Sequence, residues 1–303
     1  MKHHASEFQT PRMVYSLKTQ AEFDVIYDSK KEYIDTCEDK IRSSETLQLY
    51  CNYCNLIMPM TVDAGPNFGD HYPNLREGLV CRCGAKNRDR LMLLATGPAL
   101  LASKRPIFFG ALGCWAAWAR RNCTRTVTFC EYLGTSSPSG SVQTVQGVRV
   151  RNEDLTHLTF ADNTTDLIVH GDVLEHIPDL QAVFAETYRV LAPGGRTIFT
   201  APFFHENSAT TVRAVIENGT VRHIHPPEYH DDPLSEQGIL TFYNFGWDLL
   251  NIITDAGFEH VRLEWIYEPG MGIVSNGCPY SDLNMLPVYI TASKPKAAQQ
   301  SAH

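Results

Sequence analysis

The densest chemistry in the sequence lies in the run Val221-Arg-His-Ile-His-Pro-Pro-Glu-Tyr-His-Asp-Asp232, where three histidines and three carboxylates sit close together. Imidazole exchanges protons near neutral pH, with an unperturbed pKa of about 6.5. Such a cluster suits proton transfer to or from a bound substrate. His225 and His230 from this run, with His176 and His205 upstream, are the candidate catalytic bases. Two other readings stand beside this one. His225, His230 and Asp231 could hold a divalent metal, or the run is a loop stiffened by Pro226-Pro227, with its histidines as hydrogen-bonded lining.

A second constellation is made of cysteines. Cys51-x2-Cys54 and Cys81-x-Cys83 are two close pairs separated by turn formers, among them Asp63-Ala-Gly-Pro66. Zinc takes four thiolate or imidazole ligands in a closed tetrahedral structural site, so these four are the expected ligands. His71 is a possible substitute for one sulfur. Four buried, reduced thiols without metal are the alternative. A redox role lacks the strand-then-helix context such a motif needs. Cys37, Cys114, Cys123, Cys130 and Cys278 are isolated and read as small core residues.

These groups need a scaffold. Residues 1–45 are polar and read as a partly helical leader, residues 46–95 as the cysteine-rich zinc-binding segment. From Leu91 an apolar helix begins, and after Lys104-Arg105-Pro106 strand and helix signals alternate. Ile107–Phe109, Thr126–Cys130, Val148–Arg151, Asp166–His170 and Thr197–Thr200 read as strands. Leu180–Leu191 carries apolar residues at helical spacing and is stopped by Pro193-Gly194-Gly195. A helix over Trp247–Ala256 and strands at Val261–Ile266 and Val288–Ala292 follow. This alternation predicts an α/β fold with a mostly parallel sheet and helices on both faces. Asp166 opens its strand and is expected to serve structure.

The stretch Asn152–Pro202 resembles the central motifs of class I S-adenosylmethionine-dependent methyltransferases. An acid precedes Leu158-Thr159-Phe160, then come DLIVH, GDVLEHI and YRVLAPGG. The resemblance reaches from Ile107 to about Ala292. It implies a Rossmann-like sheet of seven strands over residues 96–294, with a substrate-loop insert at 203–245 and a disordered tail at 295–303. In such a sheet the cofactor lies across the carboxyl ends of the strands. Glu131 would then accept both ribose hydroxyls through its two carboxylate oxygens. Asp154, with Leu155 beside it, would meet the adenine amino group, and backbone at His170 and Gly171 would face the methionine end. Gly110 and Gly113 supply the tight turn after the first strand, but the acid usual before that loop is absent. "NLREGLVCRCGAKNRDRLM" is similar to a leader found before some bacterial methyltransferase domains, and "PPEYHDDP" with "FGWDLL" resembles later parts of the same group.

The resemblance implies methyl transfer to a small-molecule, sugar or peptide acceptor, at oxygen or nitrogen. A degenerate fold acting as a scaffold partner is the competing reading. With 43% hydrophobic and 20% charged residues, the chain has a globular composition. A net charge of −8 argues against nucleic acid as substrate. An odd count of nine cysteines without an export signal argues against a disulfide framework and for a cytoplasmic location.

Overall fold

Short, uniformly apolar runs become the interior strands of the sheet, because a strand covered on both faces has no solvent side to mark with polar residues. All four residues of Pro106–Phe109 are buried, as are Leu167, Ile168 and Val169. The computed structural model describes residues 8, 12–62, 67–68, 72–124, 126–232, 234–278, 280 and 283–296. His71 and most of the tail lie outside the described residues.

The main sheet has nine strands in the order Met13–Leu17, Glu259–Tyr267, Val288–Ser293, Leu191–Thr200, Thr165–Gly171, Pro106–Phe109, Thr128–Glu131, Val148–Asn152 and Val142–Val145. The five from Leu191–Thr200 to Val148–Asn152 run parallel. Val288–Ser293 is antiparallel to its neighbours on both sides. Seven of these strands are the Rossmann-like sheet that the sequence predicts. The other two extend its edges: Met13–Leu17 pairs antiparallel with Glu259–Tyr267, and Val142–Val145 forms a hairpin with Val148–Asn152. That hairpin turns at Gln146-Gly147, both with positive φ (48° and 78°), as the tight turns that match strand twist require.

Alternate strand residues divide between two cores. Ile107, Phe109, Ile168 and Phe199 pack with Val183, Phe184 and Ile253 from the helices Leu180–Val190 and Leu249–Asp255. Phe108, Leu167, Val169 and Ile198 pack instead with Met92, Leu100, Trp115 and Ala119 from the helices Asn87–Ala102 and Cys114–Asn122. Helices therefore cover both faces. Asp166 is structural as expected: its carboxylate accepts from the backbone N–H groups of Lys104 and Arg105 and from the Ser103 hydroxyl.

The helix Gln20–Arg42 buries Phe23, Ile34 and Ile41 in the same core as Trp247 and Trp265, so this part of the expected leader packs on the sheet's own core. The border at residue 95 falls inside the helix Asn87–Ala102, because Leu47, Leu49, Met60 and Leu79 of the cysteine-rich segment share the core of the sheet. A bridge between Phe203 and Phe245 closes the base of the stretch 203–245. Within it lie the hairpins Ala214–Glu217 with Thr220–His223 and Tyr229–Asp232 with Ser235–Leu240.

Candidate functional site

Strand order reverses between Pro106–Phe109 and Thr165–Gly171, and open α/β sheets bind ligands in the crevice at that switch point. Gly110 follows the first of these strands with φ +87°, and Gly113 begins the helix Cys114–Asn122. A Cβ built at either glycine would meet no atom within 4 Å, so the loop presents bare backbone to open space. Glu131 ends the neighbouring strand, and its Oε2 accepts a 2.9 Å hydrogen bond from the backbone N–H of Ala111. The carboxylate thus ties the glycine loop. A carboxylate oxygen retains capacity for a second donor.

Asp154 lies two residues beyond its strand, with Oδ1 accepting from the Thr156 N–H (2.8 Å) and hydroxyl (2.7 Å), and Leu155 beside it is buried. The carboxylate is therefore held within its own turn. The His170 side chain is buried and stacks on Phe199 at 4.6 Å. Burial pushes its pKa down to about 3, which keeps the ring neutral. Only backbone at His170 and Gly171 remains for a ligand.

At the end of the same strand the sequence reading missed Asp172. Its Oδ2 receives Arg76 at 2.6 Å and Arg88 at 2.9 Å, and both arginines also meet Glu77. Burial alone would raise the Asp172 pKa, but the two guanidiniums hold its carboxyl far below the usual range. Arg76, Arg88 and Asn87 line a small cavity with Thr200, Ala201 and Phe203. The cysteine-rich segment thereby reaches the carboxyl ends of the central strands.

The four candidate histidines separate. His225 is exposed at the turn between the hairpins. His205 is buried, its ring 5.0 Å from that of Phe23 and 4.9 Å from that of Tyr27, and burial lowers its pKa. That is an aromatic packing position. His176 and His230 come together, ring centroids 5.1 Å apart, beside a carboxylate the sequence reading passed over, Glu175. Glu175 is fully buried, yet neither carboxylate oxygen has a hydrogen-bond partner among the described residues. His230 Nε2 lies 3.1 Å from Glu228, which Arg213 approaches at 3.2 Å. Burial disfavours an imidazolium at His230, but Glu175 and Glu228 outweigh it and push the pKa up to about 9. Asp231 is not part of this group of potential ligands. The signal for Glu175 was in the quoted GDVLEHI, but its burial was not readable there.

The four cysteines converge. Cys51 and Cys83 sulfurs are 3.7 Å apart, Cys54 and Cys81 sulfurs 4.0 Å, and all four lie within 4.8 Å of one another. With Zn–S bonds of about 2.3 Å, tetrahedral sulfurs stand roughly 3.8 Å apart, so the donor set fits zinc. The C-x-C pair works because Gly84, at φ +89°, turns the chain back after Cys83, with Gly84 N–H donating to the Cys81 carbonyl at 2.8 Å. All nine cysteines are free thiols.

Residues 110–199 match a family model described as a methyltransferase domain. The match begins at the glycine loop and includes Glu131, Asp154, Asp172, Glu175 and His176. An arsenite methyltransferase of Halobacterium salinarum is 29% identical over 123 residues, 39% of this chain and 26% of that protein. A ubiquinone/menaquinone biosynthesis C-methyltransferase of Desulfotalea psychrophila is 43% identical over 53 residues, 18% of this chain and 22% of that protein. The chain thus spans about a quarter of the length of these curated relatives. Among solved structures, an S-adenosylmethionine-dependent methyltransferase from Mesorhizobium loti is similar at 18% identity and a TM-score of 0.39, covering 66% of this chain and 98% of that one. No helix among the described residues is long and apolar enough to cross a membrane.

Proposed function

We propose that the protein is an S-adenosylmethionine-dependent methyltransferase acting on a small-molecule, sugar or peptide acceptor at oxygen or nitrogen. The observation that carries this reading is the switch-point crevice, where an open glycine loop is braced by the Glu131 carboxylate inside the matched segment. When bound, the cofactor supplies an electrophilic methyl carbon. The chain's task is to align the acceptor with it and relieve the acceptor of its proton. Glu131 binds the ribose, and the turn at Asp154-Leu155 borders the adenine. Asp172, on the strand beside the glycine loop, stands in for the acid that the loop lacks. The insert 203–245 covers the acceptor, and His176 and His230 assist its deprotonation, backed by Glu175 and Glu228. Cys51, Cys54, Cys81 and Cys83 hold one structural zinc, and the free thiols suit a reducing, cytoplasmic setting.

Titration calorimetry with S-adenosylmethionine tests the reading. The wild-type chain should bind it, and Glu131→Ala should weaken binding by about 1.5–3 kcal/mol, the range for hydrogen bonds to a charged group. An unchanged dissociation constant would remove Glu131 from the site. A wild-type chain that binds no cofactor would favour the scaffold reading.

A further inference from the structure

The two histidines beside Glu175 have their outer nitrogens already committed. His176 Nδ1 lies 2.9 Å from the Leu240 carbonyl oxygen, which only accepts, so Nδ1 carries the hydrogen and Nε2 keeps its lone pair. His230 Nε2 donates to the Glu228 carboxylate in the same way, so Nδ1 is the nitrogen at which a cation would replace a proton. Those two inner nitrogens face one acid: His176 Nε2 is 3.6 Å and His230 Nδ1 3.7 Å from Glu175 Oε1. Both distances exceed the 2.7–3.2 Å of a hydrogen bond, and a buried carboxylate without a partner is costly. Three ligand atoms within 4.8 Å therefore surround one point from three sides, with the carboxylate as the buried wall.

We propose that Glu175, His176 and His230 form a second metal site, which takes a divalent cation through one carboxylate oxygen, His176 Nε2 and His230 Nδ1. Histidines that bind metals through one nitrogen almost always donate the other N–H to a carbonyl or carboxylate, the arrangement that Leu240 and Glu228 supply here. Two imidazoles and a carboxylate suit Mn²⁺, Fe²⁺ or Zn²⁺ and leave positions for other ligands. The site deepens the proposed function, on which this role rests. The cation would bind a hydroxyl oxygen of the acceptor beside the methyl donor and lower its pKa, so that His176 and His230 assist deprotonation by holding the cation while the proton passes to solvent water.

Mn²⁺ is the probe, because it favours oxygen and nitrogen donors and leaves a zinc-filled cysteine site alone. Electron paramagnetic resonance on the full chain, loaded with zinc beforehand, should show roughly one Mn²⁺ bound per chain. Glu175→Gln and His230→Ala should each weaken uptake at least tenfold, and Glu228→Gln by roughly tenfold, the loss typical when a supporting partner is removed. Unchanged affinity for S-adenosylmethionine in these variants would certify that they fold. Wild-type protein that takes up no Mn²⁺, or variants that bind it undiminished, would overturn the site. Turnover lost in His176→Ala or His230→Ala without any Mn²⁺ uptake would leave the transfer reading standing and sink the cation. Wild-type protein that binds Mn²⁺ but no S-adenosylmethionine would sink the transfer reading and keep the cation.

Discussion

Replacing Cys51 or Cys81 with serine should strip the bound zinc and lower the thermal midpoint of the whole chain, not of a detached finger. Structural zinc contributes an apparent 10–16 kcal/mol in finger peptides, comparable with the roughly 5–15 kcal/mol that holds an entire domain folded. The coupling to the rest of the molecule is visible in Arg90. Its guanidinium is fully buried and donates to the carbonyls of Leu79, Ala85 and Gly272, bolting the knuckle to a turn near the C-terminus. Two residues earlier on the same helix, Arg88 reaches Asp172 at the crevice. Losing the metal should therefore weaken cofactor binding as well as the knuckle. Metal analysis of protein purified without added zinc should find about one equivalent, and a strong chelator should lower the melting temperature measured by circular dichroism. Cys37→Ser and Cys278→Ser should keep their zinc. A metal-free chain with an unchanged melting temperature would leave four clustered thiols and nothing more.

The central strands were legible because burial on both faces forces uniform apolar sequence, as in Pro106–Phe109 and Leu167–Val169. The edge strands were not. In Val142–Val145, exposed Val142 and Thr144 alternate with half-buried Gln143 and Val145, and Met13–Leu17 alternates in the same fashion. Such segments read as polar loop until their partners are known, because only the neighbouring strand satisfies their backbone. The packing of the leader was hidden for a related reason. Its helix buries a narrow stripe, Phe23, Ile34, Cys37 and Ile41, in a run otherwise rich in charge.

For the site, local motifs carried residue types and failed at pairing. The cysteine set was readable because each pair is close in sequence and the metal's demand for four ligands completes the pattern. The Asp172 network was not, since Arg76 and Arg88 come from a different segment and meet the acid only through the docking of the helix Asn87–Ala102 on the sheet. Chemical density also misled. His225 and Asp231 belong to the richest run in the sequence, yet His225 lies exposed and the residues that converge are Glu175, His176, His230 and Glu228. Two elements bring them together. The 3₁₀ turn Leu174–His176 follows the strand Thr165–Gly171 directly, and the Phe242 N–H donates to the Glu175 carbonyl at 2.7 Å, pinning the returning insert over it.

Turnover should accordingly fall by about 10²–10⁴-fold in His176→Ala and in His230→Ala, the usual contribution of assistance to proton removal in the transition state. Both side chains sit where the insert meets the end of the fourth parallel strand, and their contacts are with Glu175, Glu228 and Leu240. Their loss should therefore leave the dissociation constant for S-adenosylmethionine near wild type. His225→Ala is the control, because an exposed turn residue outside the cluster should keep turnover within a few-fold of wild type. His205→Ala should behave differently again. It removes a ring packed against Phe23 and Tyr27 and should appear as a loss of stability in denaturant melts, with little change in turnover per folded molecule. Steady-state rates with labelled cofactor, read beside calorimetric affinities, separate these cases. Full turnover in both cluster variants would move deprotonation elsewhere in the insert. A collapse of cofactor affinity in the same two variants would instead mean that the Glu175 cluster belongs to the cofactor pocket and not to the acceptor's.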